Sequence, residues 1–342
     1  MKKIKAAIIG LGRIASLLEE DTLREKPCTH AGAIAADEDC ELAAGCDIDE
    51  ERRKLFAEKW NNFLQQADTN EKAQVKVYSD AKEMIAVQKP DILVIATHPD
   101  SHYDYCSLAA KMDVPVVICE KPLADTIGRA RKIANLSKNG KPVIITNHER
   151  RYSKDYIRAK AVLEEGKLGQ IIAVRAALYM GKTMRLVDQF WHDGTHLADA
   201  IMFLTNSELL HKRSWGAKLT SRSGTAWLEG ELKRKHIPVI FEIGASRDHL
   251  VFEIEFSCEK GRLRIGNGIF EVSESVPSPY AEKFRSLRAT GETFSAPTGY
   301  FANMIKDAVA CVKDPARQPV SGAKDGLRVI EYLNSVKKWR KY

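Results

Sequence analysis

The sequence predicts two domains: an α/β domain wound around a parallel sheet, then an α+β domain whose sheet is antiparallel or mixed. Three observations carry that reading. Over roughly the first 147 residues, short continuous apolar runs alternate with amphipathic stretches, as strands buried on both faces and joined by crossover helices do. Beyond residue 150 the runs lengthen and alternate in part, with no helical spacing between the later ones. The length, 342 residues, exceeds one ordinary domain and suits two.

In the first half the apolar runs cover 4–9, 41–46, 75–78, 92–96, 114–119 and 143–146. Between them, 50–60, 81–87, 101–111 and 125–137 gather apolar residues on one helical face. In the second half a helix is expected over 154–165, ending at Gly166, and another over 194–204. Strands are expected at 171–179, 225–232, 238–245, 250–257 and 261–265. From Leu327 on, Leu327, Ile330, Leu333 and Val336 mark a closing amphipathic helix.

Composition narrows the class. Lys and Arg exceed Asp and Glu by seven, but the excess is spread along the chain. That distribution fits solubility or mild attraction for small anions, not nucleic acid. Seven cysteines (28, 40, 46, 106, 119, 258 and 311) contain no C-x-x-C, so neither a disulfide framework nor a zinc site is expected. The expected compartment is the reducing cytoplasm. No apolar stretch approaches the ~20 residues of a membrane span.

Gly10-Leu11-Gly12-Arg13-Ile14-Ala15 follows the first run directly and is expected to open a helix. In G-x-G-x-x-A the first glycine permits a tight turn, and the second lets backbone N–H groups approach a pyrophosphate. The small third residue lets the helix pack on the sheet, and the helix N-terminus adds partial positive charge. A plain strand-to-helix turn is the alternative. Asp47 closes the second run, where a carboxylate binds ribose hydroxyls and repels a 2′-phosphate, favouring NAD over NADP. Arg52 and Arg53 work against that preference. Asp47 lies 32 residues after Ala15 instead of about 20, which places an insertion around 18–29, where Pro27 interrupts any helix. The alternative for Asp47 is an N-cap ahead of Ile48-Asp49-Glu50.

Further strings follow in order. Ala96-Thr97-His98-Pro99, with His102 beyond, leaves the fourth run, and Glu120-Lys121-Pro122 ends the fifth. His192-Asp193-Gly194-Thr195-His196 opens a helix in the second half, and Pro319-Val320-Ser321-Gly322 precedes the closing helix. Together with the glycine loop they resemble the glucose–fructose oxidoreductase / inositol dehydrogenase / rhizopine-catabolism (Gfo/Idh/MocA) superfamily, over nearly the whole chain. The resemblance implies an α/β Rossmann dinucleotide-binding domain at 1–147. An α+β substrate-binding and oligomerisation domain with a largely antiparallel open sheet follows at 148–342, its closing helix packing back on the first. NAD is the implied cofactor, NADP the lesser alternative. The implied contacts are Gly10, Gly12, Arg13, Ile14, Asp47, Thr97, His98, Pro99, His102, Glu120 and Lys121. The implied substrate is a sugar, cyclitol or polyol, and the implied assembly a homodimer or homotetramer through the second-domain sheet.

Removing a hydride from a secondary alcohol requires that the O–H proton leave too. A base must reach the hydroxyl, and a cation must face the developing alkoxide. By the resemblance Lys121 contacts the hydroxyl, His196 accepts or donates the proton, and Glu120 lies by the nicotinamide ribose. A cis bond before Pro122 would set the lysine's direction. The family commonly carries an aspartate four residues before the histidine; here that position is His192, with Asp193 one later. On a helix, 192 and 196 share a face. Three readings stay open: His192 as a second acid/base group, Asp193 as orienter of His196, or Asp193 as helix cap. A His192/His196 metal pair lacks a third ligand in the pattern, so no metal is expected. His30 reads as a core or surface residue, and Trp191, Phe190 and Tyr179 read as core rather than sugar-stacking rings. The function expected is an NAD(P)-dependent dehydrogenase or reductase acting on CH–OH groups. The alternatives are a redox-assisted enzyme that recycles its NAD, as in glycoside cleavage, and a non-catalytic NAD(P)/sugar-binding regulator.

Overall fold

The computed structural model describes residues 3–66, 74–139, 142–181 and 184–338. The chain divides into two compact units, Met1–Tyr152 with Gly299–Leu327, and Ser153–Thr298 with Arg328–Tyr342.

The first unit is built on β1 (Ile4–Ile9), β2 (Cys40–Cys46), β3 (Lys76–Tyr78), β4 (Ile92–Ile95), β5 (Val116–Cys119) and β6 (Val143–Thr146). All pair in parallel, in the order β3-β2-β1-β4-β5-β6. The winding reverses between β1 and β4, the switch point at which such sheets open a crevice beyond their strand ends. The connections carry α1 (His30–Ala35), α2 (Glu50–Gln66), α3 (Ala81–Gln88), α4 (His102–Lys111) and α5 (Ile127–Leu136). Every residue of β4, β5 and β6 is buried, as expected of strands covered on both faces.

One expectation fails at the glycine loop: no α-helix opens there. Residues 12–16 turn through Ser16 N–H to the Gly12 carbonyl (3.1 Å) and Leu18 N–H to that of Arg13 (2.9 Å), and a 3-10 turn covers Leu17–Glu20. The α-helix begins only at His30. Long-range bonds explain the break. The Trp60 indole N–H donates to Ser16 Oγ (2.8 Å) and Lys59 Nζ to the Ser16 carbonyl (3.2 Å), which fixes the chain against α2. The Glu19 carboxylate turns forward to accept from Thr29 Oγ1 (2.5 Å) and Cys28 N–H (3.2 Å) just before α1. The helix charge expected behind a pyrophosphate is therefore missing from this loop.

The second unit contains α6 (Lys154–Glu164), β7 (Ile171–Tyr179), α7 (Leu186–His192) and α8 (Gly194–Thr205). Then come β8 (Leu209–Gly216), β9 (Gly224–Leu232), β10 (Ile237–Ala245), β11 (Val251–Cys258), β12 (Gly261–Gly266), β13 (Ile269–Pro277) and β14 (Arg285–Ala289). Their order is β14-β13-β12-β11-β7-β10-β9-β8, antiparallel throughout except where β7 meets β10. The sheet is thus mixed, largely antiparallel, and open at both edges.

The domain expectation also needs correction. Residues 148–152 and the helix α9 (Tyr300–Lys313) group with the first unit, not the second. Phe301, Met304, Ile305, Ala308 and Val309 repeat at helical spacing on α9 and enter one core with Val94 of β4 and Ile118 of β5. Tyr152 OH donates to Asp307 Oδ2 (3.0 Å) on the same helix. In α10 (Ala323–Lys338) the residues up to Leu327 count with the first unit and those from Arg328 with the second. Among the described residues no helix is long and apolar enough to cross a membrane.

Candidate functional site

At the end of β1, Gly10 has φ +86°, and a Cβ there would lie 2.8 Å from the Ala96 carbonyl oxygen. Only glycine permits that approach. A Cβ at Gly12 would meet nothing within 4 Å, so this side of the loop is open and its backbone approachable. A tight first glycine and an open second one fit a pyrophosphate. Arg13 is exposed beside it and Ile14 half-buried.

Asp47, at the end of β2, reaches the same loop. Its Oδ2 accepts from Leu11 N–H (2.8 Å) and its Oδ1 from Asp49 N–H (3.0 Å), with Arg52 Nη1 3.7 Å away. The carboxylate capping α2 is Asp49, whose Oδ1 accepts from Arg52 N–H (3.2 Å). Asp47 is thus a brace for the glycine loop and not the helix cap.

Beyond β4, Thr97 Oγ1 and Ser101 Oγ share a hydrogen bond (2.7 Å), and Ser101 Oγ donates to the His98 carbonyl (2.8 Å). His98 is exposed and Pro99 half-buried. His102 was expected among the cofactor contacts, yet it is wholly buried, its ring nitrogens 3.1 Å from the Thr97 carbonyl and 3.3 Å from that of Leu123. Burial lowers its pKa. It is an imidazole tying two loops together, with no surface to offer a ligand.

The Lys121–Pro122 bond is cis. Glu120 is buried, and its Oε1 accepts from His30 Nε2 (2.7 Å) and Asn147 Nδ2 (2.5 Å). Its Oε2 accepts from the Lys121 backbone N–H (3.2 Å). Burial by itself would raise the Glu120 pKa, but His30, Asn147 and the Lys121 charge outweigh it and the pKa is lowered. Close by, burial pushes Glu149 up, against the pull of Arg150 and Lys121. Asn147 and Glu149 escaped the sequence reading, and His30 was passed over as core. The available signal was position: both neighbours of Glu120 stand where a chain segment leaves or enters an element.

In the second unit His192 ends α7 and His196 lies in α8, so the two do not share one helix. Asp193 separates them, and a side chain at Gly194 would collide with the Phe190 ring. The Asp193 carboxylate makes no cap bond; its Oδ1 lies 3.1 Å from His192 Nδ1, while its carbonyl accepts from His196 N–H (3.1 Å). The cap reading is therefore set aside. The His196 ring meets Phe252 edge-to-face at 6.5 Å. Phe190 packs in the core against Phe241 and Tyr332. Among the described residues no group of three or more His, Cys, Asp and Glu side chains is placed to hold a metal.

Comparison with known proteins adds to this geometry. Residues 4–148 match the model of an oxidoreductase family with an NAD-binding Rossmann fold. Over 209 residues the chain is 27% identical to inositol 2-dehydrogenase of Salmonella paratyphi B, covering 60% of this chain and 55% of that protein. Over 212 residues it is 24% identical to D-glucoside 3-dehydrogenase of Escherichia coli, covering 59% and 54%. The chain thus spans little more than half the length of these curated relatives. The structure resembles that of scyllo-inositol dehydrogenase from Lactobacillus casei, solved with bound NAD(H) and scyllo-inositol. The TM-score is 0.72 at 19% identity, over 99% of this chain and 97% of that one.

Proposed function

We propose that the chain, whose residues 4–148 match an oxidoreductase family with an NAD-binding Rossmann fold, is a Gfo/Idh/MocA oxidoreductase that transfers a hydride between a nicotinamide cofactor and a polyol. The substrate carbon would be a secondary alcohol or ketone of a sugar, cyclitol or related compound, the class named in the relatives inositol 2-dehydrogenase and D-glucoside 3-dehydrogenase. The observation that carries the reading is the buried Glu120 carboxylate braced beside Lys121, in a unit whose glycine loop is open at Gly12.

NAD, when bound, supplies the hydride-accepting nicotinamide. The chain's own residues do the rest. The loop from Gly10 to Ala15 holds the pyrophosphate through its backbone. Asp47 faces the ribose hydroxyls, and its charge disfavours a 2′-phosphate, so NAD is preferred over NADP; Arg52 at 3.7 Å moderates the preference. Lys121 binds the reacting hydroxyl and stabilises alkoxide charge, and His196 takes or returns the proton. The face of the second sheet on which Ile172 of β7 stands 52% exposed is the surface proposed for self-association.

The test pairs thermal shift with turnover. NAD should raise the melting temperature more than NADP at equal concentration, and a panel of inositols and sugars should include one that drives sustained NADH absorbance. Tighter NADP binding would reverse the cofactor assignment. Binding without turnover for every polyol would leave a sensor in place of an enzyme.

A further inference from the structure

Resting on that reading, we infer that His30 is a positioning residue for Lys121, acting through Glu120. Its place is unusual for a lone helical histidine. The ring is fully buried and edge-on to Phe301 (5.2 Å, 81°), and its Nε2 meets Glu120 Oε1 at 2.7 Å. A carboxylate can only accept, so Nε2 carries the proton. Among the described residues Nδ1 has no hydrogen-bond partner, and neither has Asn147 Oδ1. An unpaired buried polar atom is costly, and a leucine would pack without that cost. Two such side chains converge on one oxygen of one carboxylate, which leaves the other oxygen for the Lys121 N–H. The polar atoms that are satisfied all serve to hold Glu120 still.

His30 also links two parts of the unit. Its backbone N–H donates to the Ile14 carbonyl (3.2 Å), and that of Ala31 donates to Ala15 (2.9 Å), both in the glycine loop. One residue therefore registers the dinucleotide loop, by its backbone, against the lysine turn, by its ring. Small misplacements of a reacting group lower rate steeply, about 10²-fold for 1 Å. The link from Ile14 through His30 and Glu120 to Lys121 is short and buried enough to prevent them.

The test compares His30→Gln, whose terminal amide can replace the Nε2–H, with His30→Leu, which cannot donate, and His30→Asn, whose amide falls short. The first readout needs no cofactor: competitive acetylation of the apo protein with acetic anhydride, read on the peptide bearing Lys121. With Glu120 free to turn away, the Lys121 backbone N–H loses its buried acceptor and the turn that holds the side chain loosens, exposing the amine to reagent. Labelling relative to the other lysines should rise at least about threefold in the Leu and Asn variants and stay near wild type in Gln. The second readout is turnover. His30→Leu should lower kcat by about 10–10²-fold with polyol KM and NAD affinity nearly unchanged, and Gln should restore most of it. If His30→Leu fails to fold, the Asn and Gln pair decides. Equal labelling in those two, or a folded Leu variant with wild-type labelling and turnover, overturns the inference. A wild-type protein that reduces no NAD with any polyol refutes the functional reading instead, and the labelling result still judges the link.

Discussion

Around Glu120 and Lys121 the chain surrounds one carboxylate with three N–H donors and removes it from water. Around His192 it does the opposite. The His192 side chain is 57% exposed, its partner Asp193 is its immediate neighbour, and the helix breaks between the histidines. A buried network fixes direction at the cost of desolvation, and removing one member leaves the rest unsatisfied. An exposed ion pair contributes about 0–1 kcal/mol and reorients freely. The first segment is fixed by buried bonds, whereas the second carries its His192–Asp193 pair at the solvent-exposed end of α7.

The largest expected effect is at the preorganised end. Lys121→Ala should lower kcat/KM by about 10²–10⁴-fold while NAD affinity hardly changes. Near-full turnover in stopped-flow assays would remove Lys121 from the chemistry. Next, His196→Asn should cost about 10²-fold in kcat and His192→Asn less than about tenfold. If steady-state kinetics rank them the other way, His192 is the proton carrier.

A third prediction concerns stability. Because the Glu120 pKa is lowered in the folded protein, its contribution is complete above the ordinary carboxylate value and is lost as pH falls through the lowered one. Glu120→Gln should therefore cost on the order of 2 kcal/mol at neutral pH and flatten the acid side of the stability profile. Urea titrations between neutral and acid pH measure both, and an unchanged slope contradicts the braced carboxylate. The smallest effect should come from Asp193→Asn, since its carboxylate caps nothing: under about 1 kcal/mol by the same titrations.

The fully apolar strands β4 and β5 were readable because burial on both faces leaves no other residue type. In β8 and β14, Lys212, Arg213, Arg285 and Arg288 obscure the alternation, and both strands went unread. The helix α9 went unread as well, and its periodic face alone would not say which core it joins. The missing helix after Gly12 depends on Trp60 bonding Ser16 from 44 residues away, and His30 finds Glu120 at a separation of 90. Motifs reveal residues that face a ligand through local backbone geometry. They are silent on partners that meet only after the sheet has formed.

The return of α9 to the first unit has a consequence for synthesis. When the ribosome has released residue 152 and its exit tunnel is cleared, all six parallel strands are available, but Phe301, Met304 and Ile305 are not. The apolar surface they will cover stays open to water while residues 153–298 are made, about 7–30 s at roughly 5–20 residues per second. The unit that begins first must wait for a helix made after the whole second sheet. A nascent chain paused in that interval presents a bare groove over β4 and β5, the kind of surface that holdase chaperones bind and that other nascent chains can stick to.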